Sequence, residues 1–155
     1  MLLRIGRREI ECNADVTAKS YSELPLGPGC DCEYCRNFMA ALNHAFPQKS
    51  AAMIAALGVD LRKPAELAHY QREESGLHYT GGWFHLVGEI RSGADAWIPL
   101  GENSRSAAFE KLADEIEFGF TNQLALVRDS FKVHSVIQLE FATRVPWVID
   151  APEPE

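Results

Sequence analysis

The chain lacks any apolar run approaching the roughly 20 residues of a membrane-spanning helix. Its first thirty residues do not combine a basic start, a long apolar stretch and a small-residue cleavage site. A soluble, cytoplasmic protein with no membrane partner is expected. Positive charge is also short: 15 Lys and Arg stand against 22 Asp and Glu, a formal net charge of -7. Phosphate backbones repel such a chain, so nucleic acid is set aside as a partner. Chemical signatures are missing too. Gly27 and Gly29, or Gly81 and Gly82, match neither the phosphate-loop nor the dinucleotide pattern, and there is no HExxH, nucleophile motif or paired-carboxylate signature. Asp31, Asp60, Asp95 and Asp129 lack calcium-loop spacing. The balance leans away from an enzyme.

What remains is a chain of 155 residues, 46% hydrophobic, enough for one core and short for two. Residues 1–150 are expected to form a single globular domain, with the acidic, proline-containing end at 151–155 as a frayed tail. Leu3 and Ile5, then Ile10, Cys12, Ala14 and Val16, alternate with polar neighbours and predict a hairpin. Residues 17–31, with Pro25, Gly27, Pro28 and Gly29, read as a loop. Tyr34, Phe38, Ala41, Leu42 and Ala45 recur at helical spacing and predict a helix from Glu33 to Phe46, stopped by Pro47. A second helix is expected from Ser50 to Leu57, capped by Ser50 and ended by Gly58, and a third from Pro64 to Glu74.

After Gly76 the pattern changes to alternation. LHYTGGWFHLVGEI puts Phe84, Leu86 and Ile90 on one strand face and Trp83, His85, Val87 and Glu89 on the other. Ser104–Ala113 reads as a short helix, while EIEFGFT, LALV and VIQLEFATRVPWVI read as extended, the last until Pro146. The fold class is therefore α+β: helices mainly from the first half, packed on an antiparallel sheet mainly from the second.

The chemistry concentrates in GPGCDCEYCRNF, where Cys30, Cys32 and Cys35 fall within six residues at a loop-to-helix junction. Thiolates at this spacing converge on a soft metal, zinc above all, and a helix N-terminus favours their charge. A fourth ligand must come from elsewhere. His44 lies nine residues after Cys35, about 900° of rotation at roughly 100° per residue, and so on the opposite helix face. Cys12 alternates with Ile10 and Ala14, where a free cysteine packs as a small core residue. A metal knuckle reading nucleic acid would need more cation than Arg36 provides beside Tyr34 and Phe38. The three thiols also admit thiol-disulfide exchange by Cys32 and Cys35, or simple packing of a loop against a helix. His78 with Tyr79, and His85 between Trp83 and Val87, are the other candidates, as lining of a pocket with a titrating group.

Two resemblances add to this reading. Cys32, Tyr34 and Cys35, followed by a helix, resemble the CPYC active site of glutaredoxins, and Val145 and Pro146 resemble the valine and proline those folds place beside it. That resemblance implies an attacking Cys32 and a resolving Cys35. No apolar strand leads into these cysteines, however, and no strand and helix follow Pro146. The order of the cysteine cluster, RNF, LGVDLRKPAEL, GGWFHLVGEI, FTNQLALV and IQLEFATRVPWVI resembles a family of uncharacterised bacterial proteins, which implies one integral domain and assigns no activity. The expectation is a non-enzymatic binding protein with a zinc-type site at Cys30, Cys32 and Cys35, its partner a protein or small molecule; the alternative is a thiol-disulfide oxidoreductase.

Overall fold

Long-range strand pairing organises the chain. In the computed structural model, which describes residues 1–155, the elements run β1 (Leu2–Ile5), β2 (Arg8–Cys12), α1 (Ala14–Ser22), α2 (Glu33–Ala40), α3 (Leu42–Ala45), α4 (Gln48–Ala56), β3 (Glu66–Arg72), β4 (His78–Ser92), β5 (Trp97–Pro99), β6 (Arg105–Ala107), β7 (Glu110–Ala113), β8 (Ile116–Thr121) and β9 (Val136–Val145). The fold is α+β, helices mostly in the first half and strands mostly in the second. Seven strands form one antiparallel sheet in the order β1-β2-β4-β9-β8-β7, and β3 joins β4 on the edge it shares with β2. β5 and β6 form a separate hairpin.

β4 is the organising strand. Its first half pairs with β3 up to Trp83, its last part pairs with β2 from Gly88, and the gap between them is filled by α1. The Tyr21 hydroxyl donates to the His85 carbonyl at 2.6 Å and accepts the His85 N–H, while Thr17 Oγ1 accepts from the Val87 N–H. Side chains thus satisfy backbone groups that would otherwise lie buried without a ladder partner. One sheet face carries Phe84, Leu86, Phe118, Phe120, Leu139 and Phe141 against Phe38, Phe46, Ile54 and Leu57 of the helices and their ends. Phe46 meets Phe141 edge-on at 4.9 Å. The other face, bearing Trp83, Gln138 and Glu140, is covered by the excursion from Gly93 to Glu110 and by the loop after β8. Arg8, itself buried, fastens that excursion by donating to the Ala94 and Ala108 carbonyls and to Glu110.

Several sequence expectations need correction. The helix expected over Pro64–Glu74 is strand β3, because Gly81 and Gly82 let it approach β4: a Cβ at Gly82 would lie 2.2 Å from the Glu66 carbonyl oxygen. The helix expected over Ser104–Ala113 is β6 and β7; β7 turns into β8 through Asp114 and Glu115, both at positive φ (55° and 62°), a geometry suited to a two-residue hairpin. The N-terminal hairpin ends at Cys12, and the supposed loop begins with α1, whose Asn13 side chain caps the Val16 N–H. The helix after the cysteines breaks at Ala41 into α2 and α3. Ser50 does not cap α4. Pro47 occupies that position, the Ser50 hydroxyl donates to the Pro47 carbonyl, and the Ser50 N–H donates to Asp114. LALV is loop, with Leu126 at φ 58°. Gly58 does end α4, at φ +83°.

Candidate metal centre

The loop after α1 carries Gly27 and Gly29, both at positive φ (82° and 86°) with open space around them, and delivers the chain to α2. Its hold on the body is the Gly27 N–H, which donates to the Arg62 carbonyl at 2.8 Å. Cys32 is the N-cap residue of α2, in extended conformation, and its carbonyl accepts the first helical bond from the Arg36 N–H. The next turn turns Cys35 inward. Local geometry therefore brings the three sulfurs together, all within 4.8 Å of one another. Cys30 and Cys32 are exposed, whereas Cys35 is only 5% exposed and joins the core. The Cys32 N–H donates to Cys30 Sγ at 3.5 Å.

This arrangement makes the thiols unlike. No side chain closes a formal cap bond at Cys32, but the Cys35 backbone N–H beside it favours the thiolate, as do the thiols of Cys30 and Cys35, and the Cys32 pKa lies below the usual 9.0. Burial, reinforced by the neighbouring sulfurs, pushes the Cys35 thiol up. Cys30 and Cys35, though not Cys32, border an open hollow of about 480 Å³, shared with Leu26, Arg36 and Met39. Three soft donors converge from one short segment on one point, as a thiolate-bound cation requires.

The other sequence candidates do not join the cluster. His44 lies exposed on α3, beyond the break at Ala41, so it is not on the helix of Cys35 along which its angle was counted. Cys12 is buried, with Sγ donating to the Leu57 carbonyl at 3.4 Å, and its thiol is pushed up by burial. His78 and His85 were expected to line a pocket together, but an uninterrupted β4 register puts them on opposite faces of the sheet. His85 is buried and bonded to Gln138, while Tyr79 packs under the Arg144 guanidinium.

His78 belongs to a constellation the sequence did not reveal. The Tyr34 ring, between two of the cysteines, stacks on His69 with centroids 3.8 Å apart. His69 Nε2 and His78 Nδ1 share a hydrogen bond of 2.9 Å, and His78 Nε2 meets Glu153 Oε1 at 2.8 Å. Arg72 donates to the same carboxylate oxygen at 3.0 Å. Glu153, in the acidic tail, is held below the usual carboxylate range first by its bond to His78. Nearby, Asn37 clamps the chain after β9, donating to the Pro146 carbonyl and accepting the Val148 N–H. The VPW segment therefore does lie beside the helix of the cysteines. The frame is nevertheless not the one the glutaredoxin resemblance implies: no strand enters the cysteine loop, and no strand or helix follows β9. No helix is long and apolar enough to cross a membrane. No protein-family model, curated protein or solved structure matches the chain.

Proposed function

We propose that Cys30, Cys32 and Cys35 bind a zinc ion as three thiolates, and that the protein is a non-enzymatic binding domain whose metal leaves one coordination position toward solvent. The observation that carries this reading is the convergence of three sulfurs within 4.8 Å at the start of a helix, two of them exposed. Tetrahedral zinc with bonds of about 2.3 Å needs sulfurs about 3.8 Å apart, so small side-chain rotations suffice. Three thiolates on a divalent cation leave one net negative charge, which the amide end of α2 stabilises. The metal would join the exposed loop to α2, and a protein or small-molecule partner would supply the fourth ligand.

A second reading rests on a different observation, the contrast between exposed Cys32 with its lowered pKa and buried Cys35 with its raised one. In it the Cys32 thiolate attacks a substrate disulfide and releases one substrate thiolate. Cys35, after giving up its proton, closes the Cys32–Cys35 disulfide and releases the second; an external dithiol then restores both thiols. Elemental analysis of protein purified without chelator, with thiol titration alongside, separates the two. The zinc reading predicts near one zinc per chain, lost alike in Cys30→Ser, Cys32→Ser and Cys35→Ser. Metal-free protein with a reversible intramolecular disulfide, insensitive to Cys30→Ser, would establish exchange instead.

A further inference from the structure

On the sheet face away from the helices, a cavity of about 320 Å³ opens between β4, β9 and the β5–β6 hairpin. Its walls include the indoles of Trp83 and Trp97, and its polar groups are Gln138, Glu140, Arg105 and Gln123. Gln138 is 3% exposed. Its Oε1 accepts the Ala125 N–H at 2.9 Å, so that atom must be the oxygen, and it also accepts from His85 Nε2 at 2.9 Å. Burial keeps the His85 ring toward its neutral form, with Nε2 carrying the proton. The oxygen is therefore fully used, while the amide NH2 has no acceptor in the chain and is free to donate to a ligand's acceptor on the cavity side.

Glu140 stands two residues along the same face of β9, 9% exposed. Trp97 Nε1 donates to its Oε2 at 2.5 Å, and no Lys, Arg or His pairs with it. A carboxylate so placed calls for a cation. The Arg105 guanidinium lies over the Trp97 ring, 4.5 Å from its centroid, and bonds Gln123 at the cavity mouth.

We infer that this cavity binds a free α-amino acid, its ammonium on Glu140, its carboxylate on the Gln138 amide and the Arg105 guanidinium, and its side chain between the two indoles. Positions two apart on a strand face lie about 6.6 Å from one another. The adjacent charges of an α-amino-acid head group, with one hydrogen bond at each end, span that separation, whereas a simple amine or a simple carboxylate satisfies only one end. Trp83 and Trp97 are two of the three tryptophans, so binding also changes intrinsic fluorescence.

The test is isothermal titration of the intact chain with the free amino acids, their N-acetyl derivatives and their methyl esters. At least one free amino acid should bind with Kd below about 1 mM, and blocking either end should weaken it at least about tenfold. Glu140→Gln should cost a similar factor while circular dichroism remains that of the folded protein. Arg105→Ala, at an exposed side chain, should weaken binding about fivefold without touching the fold. Absence of binding by every free amino acid, equal binding of the blocked forms, or undiminished binding by both folded variants would overturn the inference.

Discussion

Among the four cysteines, burial separates one kind of chemistry from another. Cys12 and Cys35 are both buried, yet only Cys35 has sulfur neighbours; Cys12 faces the Leu57 carbonyl inside the core. Replacing Cys12 by Ala should therefore cost about 1 kcal/mol, read as a lower urea midpoint, and leave metal content unchanged. Loss of metal in that variant would mean that the fourth ligand had been misassigned. The cluster was legible in the sequence because its geometry is local: a glycine-bearing loop, a helix start and a two-residue spacing suffice. The contacts around His78, His85 and Glu140 were not, because their partners lie 75, 53 and 43 residues away. No spacing rule along the chain reaches so far.

For the elements, periodicity held where one face alone decided the structure and failed where a neighbour did. β4, β8 and β9 alternate clearly and were read as strands, and the amphipathic stretch after Cys32 was read as helical apart from its break at Ala41. β3 was missed because Pro64 and the following residues suit a helix start, and only the side-chain-free surface at Gly81 and Gly82 makes a strand the better solution. The same crowding gives a prediction on the other half of β4. A Cβ at Gly88 would lie 2.1 Å from the Glu11 carbonyl oxygen in β2. Gly88→Ala must push β2 away, and should destabilise the protein by about 2–3 kcal/mol while weakening amide-exchange protection in β1 and β2 first. Protection unchanged in β1 and β2 would contradict this pairing.

Across the whole molecule, acid should act in two steps. His85 is pushed below its ordinary 6.5 chiefly by burial, and His69 by burial and then by His78. The folded state therefore binds fewer protons than the unfolded chain in the window below 6.5, so stability is full above that value and falls as pH drops through the window. The carboxylates of Asp60, bonded to Arg62, and Glu153, bonded to His78, have depressed values. Their contributions are present above the ordinary carboxylate range and lost only at lower pH. Urea midpoints from pH 8 to pH 3 should show both declines, with His85→Gln flattening the first. A stability maximum near pH 5 would contradict the assignment. At this scale the α+β class and the division between helical first half and stranded second half followed from hydrophobic patterning. The sheet order did not, because β2 and β3 share one edge of β4 and α1 fills the space between them.

The central claim concerns three sulfurs and one ion, and X-ray absorption at the zinc edge of the purified chain tests it most directly. The account predicts a shell of three sulfurs at about 2.3 Å with one lighter ligand, absent from Cys35→Ser. A shell of nitrogen and oxygen alone, or a zinc-free protein whose three thiols all titrate freely, would contradict it.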